Sequence, residues 1–186
     1  MRLDKPRVAP LSDEQIDSET RERVSQGPVG KGSILNIFRT LAHHPGLLKR
    51  WLVFGTHVLG KSTLPARERE LVILRIGWLC RAGYEWGQHV AIGREAGLTE
   101  EEIARIPKGA DAADWSLLDR ALLRATDELH GDAFISDVTW AELASEYSTQ
   151  QLMDLVFTIG QYNLVSMALN TFGVQPEPGL APLPRS

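Results

Sequence analysis

The sequence predicts an all-α fold, a compact multi-helix domain, and three observations carry that expectation. Apolar residues recur at helical spacing through nearly every long segment. Capping boxes stand ahead of helical runs at Ser12–Gln15, Thr99–Glu102 and Ser148–Gln151. No alternating β-branched run of convincing strand length appears. With 186 residues, 43% of them hydrophobic, the chain is long enough for one sizeable core and short for two.

Taken in order, Ser12 with Gln15 opens a polar helix to about Val24, and residues 25–33 form a loop. A second helix runs from about Ile34 to Ala42 and stops at His43-His44, where an imidazolium suits the negative end of the helix dipole. Pro45 suits the first turn of a third helix, whose apolar positions Leu48, Leu52 and Val58 continue to Gly60. Thr63 is expected to cap a fourth, with Pro65 in its first turn and the charged stretch 66–70 leading into the apolar run 71–79. Gly83 weakens a helix and predicts a break over Cys80–Gly83.

The next helix, from Tyr84 to Ala96, ends at Gly97. Thr99 opens a short helix that Pro107 closes, and helices over Trp115–His130 and Ser136–Tyr147 follow. Ser148 opens the last and longest, to about Phe172, for seven to nine helices in all. The organisation expected is an N-terminal extension over 1–33, a helical domain over 34–175, and a tail over 176–186. Four of the ten prolines fall in that tail, which predicts an extended segment, free or laid over a neighbour.

A net charge of −4 gives no basic surplus for nucleic acid. A single cysteine excludes an internal disulfide and favours a reducing cytoplasm. The first fifteen residues hold no apolar run of signal-peptide length. Residues 155–174 are apolar but carry Gln161, Asn163, Ser166 and Asn170, which suits a buried helix better than a membrane span. The stretch "GPVGKGS" (Gly27–Ser33) has the wrong glycine spacing for a phosphate loop and follows a polar helix rather than a strand. His43, His44, His57 and His130 stand apart from other candidate ligands and read as capping or packing residues. Only Cys80, Glu85 and His89 lie close together in sequence, too few for a zinc site, so no metal is expected.

Chemistry concentrates around "CRAGYEWGQH" (Cys80–His89). Glu85 and His89 are four apart and share a helix face, beside the aromatics Tyr84 and Trp86 and the small residues Gly83 and Gly87. The pair reads either as a surface ion pair or as two groups lining a pocket. Glu70 has two readings as well: a carboxylate entering a buried stretch, its charged form disfavoured, or a first-turn residue favoured by the dipole. Arg75 and Arg81 offer a cation to a substrate acid, although Arg75 within an apolar run equally suits a buried partner. Asn163, Ser166 and Asn170 form a polar stripe, for helix-to-helix hydrogen bonds or for a pocket wall.

From about residue 34 to 172 the chain resembles the carboxymuconolactone decarboxylase family, which includes the alkylhydroperoxidase D proteins. Redox members carry a glutamate, a Cys-x-x-Cys pair starting twelve residues later, and a histidine four residues beyond the second cysteine. Here Glu70 and His89 take the outer positions, Tyr84 keeps the aromatic before the second cysteine position, and the cysteine positions fall on Ala82 and Glu85. Disulfide exchange needs both sulfurs, and Cys80 lies outside both positions. The resemblance therefore implies the acid–base branch: a lyase without cofactor, acting on a small carboxylated lactone or related organic acid, in a homo-oligomer. His89 is expected as proton donor or base, Glu85 as its orienting partner, Glu70 as a proton relay, and Arg75, Tyr84 and Trp86 at the substrate. Two alternatives stay open: a peroxidase using Cys80, and a non-enzymatic binding or assembly protein on the same fold.

Overall fold

The computed structural model describes residues 2–25 and 33–184. Of the "GPVGKGS" stretch only Ser33 is among them, so the loop and phosphate-loop readings of residues 26–32 lie outside the described residues. Among the described residues there are nine α-helices and no strand. They are α1 (Ser18–Ser25), α2 (Asn36–Leu41), α3 (Pro45–Gly60), α4 (Ala66–Leu79), α5 (Gly83–Glu95), α6 (Glu100–Arg105), α7 (Leu117–Asp132), α8 (Asp137–Glu146) and α9 (Thr149–Phe172).

Helix α4 is the centre. Every residue from Glu70 to Gly77 is buried, and a helix apolar around its whole circumference is stable only when wrapped by others. It packs most extensively against α5 and α7, then α9. Burying Leu71, Val72, Ile73, Leu74 and Ile76 completely contributes about 1.5–3 kcal/mol for each of the larger side chains. Helix α9 is long and apolar enough to cross a membrane by length and composition alone. It packs against α4, α7 and α3, with half of its most apolar window buried inside the molecule.

Several local expectations need correction. The N-terminal helix is broken: the Ser12–Gln15 box caps a single 3-10 turn, Ile16 is extended and buried, and α1 starts at Ser18. Burial of Ile16 against Val24 and Leu48 overrides the propensity for one continuous helix. Thr63 does not cap α4, because its N–H and hydroxyl both donate to Asp154 of α9, at 2.6 and 2.7 Å. Pro65 takes the N-cap position instead. His44 caps the start of α3 by accepting from the Leu47 N–H (3.3 Å), which requires a lone pair rather than a cation.

The break between α4 and α5 falls where Gly83 predicts it, but Gly83 begins α5. The left-handed turn residue is Arg81 (φ 54°), with the Ala82 N–H returning to the Gly77 carbonyl at 2.8 Å. The proline-rich tail is not free. Glu177 accepts from the Asn36 N–H (2.7 Å), the Tyr84 hydroxyl (3.1 Å) and Gln88 Nε2 (2.6 Å), fastening the tail to α2 and α5. Gly87 permits the tail's close approach: a Cβ there would stand 3.0 Å from both Ala181 O and Leu180 Cβ.

Candidate active site

A cavity of about 440 Å³ lies between α3, α5 and α9, with side chains of α1 and α2 over it. Helical periodicity explains how each wall is built. Helix α3 presents Trp51, Leu52, Gly55, Thr56 and Leu59, α5 presents Tyr84, Glu85, Gln88, His89 and Ile92, and α9 presents Gln161, Tyr162, Val165 and Leu169. The lining is largely apolar. Lys49 and Lys61 are exposed at its margin, and Glu85, His89, Gln161 and Tyr162 are its buried polar members.

The partner of His89 is Glu70, not Glu85. Glu70, on α4 and fully buried, takes the His89 Nδ1–H on Oε2 at 2.6 Å, and its Oε1 accepts from Arg69 Nε at 3.2 Å. A carboxylate only accepts, so Nδ1 carries the proton in this bond and Nε2 is left for another partner. The ring stands edge-on to Tyr162, with centroids 4.7 Å apart. Tyr162 is pushed well above its ordinary pKa, first by burial and then by the charge of Glu70, so it remains a phenol.

Glu85 bends away from its helix neighbour. Gly77 leaves a gap on α4, where a Cβ would stand 3.0 Å from Glu85 Oε1, and that oxygen accepts from the Ser166 hydroxyl at 3.1 Å. Oε2 is buried with no hydrogen-bond partner. Burial raises the Glu85 pKa well above the usual carboxylate range; the Ser166 hydrogen bond opposes this, and the Glu70 charge adds to the rise. Burial without a neighbouring cation favours the protonated carboxyl, and with Oε1 accepting from Ser166 the proton falls on Oε2.

Other expected residues lie elsewhere. Arg75 pairs with Asp127 (Nε–Oδ1 2.6 Å, NH2–Oδ2 2.9 Å) and donates through NH1 to the Ile106 and Pro107 carbonyls. It does not line the cavity, and its guanidinium fork is spent on joining α4 to the partly exposed Asp127 of α7. Trp86 is a core residue, packed away from the cavity. Tyr84 does line it, with its hydroxyl on Glu177.

Cys80 also lies outside the lining. Its thiol donates to Asn163 Oδ1 at 3.1 Å, and burial, helped by the Glu85 charge, pushes its pKa up to about 11. A reactive thiol needs the opposite shift. All three residues of the polar stripe make helix-to-helix bonds: Asn163 to the Cys80 thiol, Asn170 to the Cys80 carbonyl (2.8 Å), Ser166 to Glu85. Tyr162 and Gln161 were not singled out by sequence reasoning. Their only signal is a polar residue interrupting an apolar helix. Among the described residues no group of three His, Cys, Asp or Glu side chains is placed to hold a metal.

A buried carboxyl–imidazole pair and a second buried carboxyl group stand at an apolar cavity of an all-helical domain, and that fold is alkylhydroperoxidase D-like. Residues 45–128 match the model of the carboxymuconolactone decarboxylase family. No curated protein sequence matches the chain.

Among solved structures, the chain is similar to the alkylhydroperoxidase AhpD core of an uncharacterized peroxidase-related protein from Ralstonia eutropha JMP134. The TM-score is 0.82 at 18% identity, over 93% of each chain. An uncharacterized peroxidase-related protein from Silicibacter sp. TM1040 gives 0.78 at 17% identity, over 95% of this chain and 92% of that one. The debrominase Bmp8 gives 0.76 at 14% identity, over 92% of each. At these identities the likeness is one of fold.

Proposed function

We propose that the protein catalyses proton transfer at a carbon next to a carbonyl or carboxyl group of a small organic molecule, with decarboxylation of a small carboxylated lactone as the form the family name suggests. The observation that carries this reading is the 2.6 Å bond from His89 Nδ1 to buried Glu70, which leaves His89 Nε2 free beside the cavity. Glu70 orients the imidazole and stabilises its cation, the role the sequence assigned to Glu85. Glu85 acts as the acid.

In a decarboxylation the C–C bond to the carboxylate breaks, carbon dioxide leaves, and the electron pair passes to the conjugated carbonyl oxygen. Glu85 Oε2–H protonates or hydrogen-bonds that oxygen. The His89 imidazolium then protonates the carbon, Glu85 recovers its proton as the carbonyl reforms, and one proton enters from solvent. Tyr162 limits the imidazole's rotation and keeps water from its face. The cavity's apolar walls strengthen each of these interactions.

Carbon dioxide release from a carboxylated muconolactone tests the reading. His89→Gln is expected to lower turnover by at least about a hundredfold, in line with loss of a general acid–base group. Cys80→Ser is expected to leave it within about twofold, since the thiol bonds Asn163 and His130 and lies outside the cavity. A large loss with Cys80→Ser and none with His89→Gln would contradict it and support peroxidase chemistry at the thiol.

A further inference from the structure

Proton transfer accounts for His89, Glu70 and Glu85 but leaves Gln161 without a task. Gln161 lies in the same cavity, is 4% exposed, and its Oε1 is buried with no hydrogen-bond partner. Glu85 Oε2 is the other buried, unpartnered side-chain oxygen of the lining. An unsatisfied buried polar atom costs about 1–3 kcal/mol, and both of these belong to residues lining one cavity, so a ligand that reaches them gains by completing them.

The two atoms differ in what they require. Glu85 Oε2 carries the acid proton and needs an acceptor. Gln161 Oε1 is an amide carbonyl and takes only a donor. Around them Trp51, Leu52, Ile92, Val165 and Leu169 supply apolar surface. The volume, about 440 Å³, falls within the range of small-molecule sites.

We propose that the substrate is a small, largely apolar molecule bearing both a carbonyl oxygen, which accepts from Glu85, and a hydroxyl group, which donates to Gln161. This rests on the reading of Glu85 as the acid, and it adds Gln161 as the residue that selects among substrates. A molecule whose polar groups are all ionised carboxylates would serve Glu85 and leave Gln161 unpaired. Discrimination against such a molecule follows from the unpaired amide, because sites built to bond a hydroxyl reject analogues lacking it.

Calorimetric titration with the three hydroxyacetophenone isomers, and with acetophenone as the analogue lacking the hydroxyl, tests the proposal. At least one isomer is expected to bind about tenfold tighter than acetophenone. In Gln161→Leu that preference is expected to fall below about threefold, while acetophenone still binds, which shows the cavity intact. The wild-type comparison decides the question should Gln161→Leu fold poorly. Equal affinity for acetophenone and every isomer, an unchanged preference in Gln161→Leu, or no binding of any probe would overturn the proposal.

Deuterium exchange from D2O into the acetophenone methyl group reports proton transfer without a hydroxyl. Exchange without a hydroxyl preference removes this proposal and leaves the acid–base reading standing; a preference without exchange keeps Gln161 as the selecting residue and removes the acid–base reading, and with it the role given to Glu85.

Discussion

At Glu85 a carboxyl group enters the space that Gly77 leaves on α4 and ends with one oxygen on Ser166 and the other buried without a partner. The sequence placed Glu85 and His89 on one helix face, which is right, and inferred that they pair, which is not. Helical spacing specifies a shared face but not a rotamer, and the gap at Gly77 draws Glu85 aside while Glu70 reaches His89 from α4. The departure from the redox pattern at Glu85 was legible; the division of labour between the two glutamates depends on side-chain directions across helices and was not.

A stability prediction follows from the raised Glu85 pKa. The unfolded chain releases this proton near 4.5, whereas the folded protein holds it to higher pH. Between those two values the native state binds the extra proton, so stability falls as pH rises, by up to about 1.4 kcal/mol per pH unit. Glu85→Gln has no proton to lose, so denaturant midpoints should decline less steeply from about pH 5 upward and lie above the wild type's. Activity should fall in the same variant. A variant less stable than the wild type across this range would argue that Glu85 is ionised in the fold.

Among the elements, capping signals located α6, α8 and α9, because a cap is a local event with a local signature. The Thr99–Glu102 and Ser148–Gln151 boxes open α6 and α9 where expected, and Ser136 caps α8. Thr63 failed as a cap because Asp154, 91 residues away, takes its donors. The tail shows the same limit: composition predicts an extended segment, and only the fold shows that Glu177 joins it to α2 and α5. Tyr84 and Gln88 line the cavity, so the tail's anchor also steadies its wall. Glu177→Ala removes three hydrogen bonds and should destabilise the protein by about 1–3 kcal/mol in urea denaturation. It should also raise KM more than it lowers kcat, since no reacting group is touched. An unchanged midpoint would mean the tail is held by its apolar contacts at Ala181 and Leu183 alone.

For the molecule as a whole, the all-α architecture follows from periodicity and caps, and α4 announces itself as the core by being apolar on every side. The cavity does not announce itself. Its walls come from α3, α5 and α9, with the N-terminal extension contributing Arg23 and Val24, and no local pattern encodes that convergence. Arg75 illustrates the difficulty: an arginine in an apolar run suits a substrate or a partner equally, and only the position of Asp127 on α7 decides. The central claim is that this assembled site moves protons through His89 rather than electrons through Cys80. Deuterium incorporation at the methyl carbon of bound acetophenone, followed by NMR in D2O for the wild type, His89→Gln and Cys80→Ser, tests it most directly. The account predicts exchange by the wild type and Cys80→Ser and none above background by His89→Gln; exchange that survives His89→Gln, or that is lost with Cys80→Ser, would contradict it.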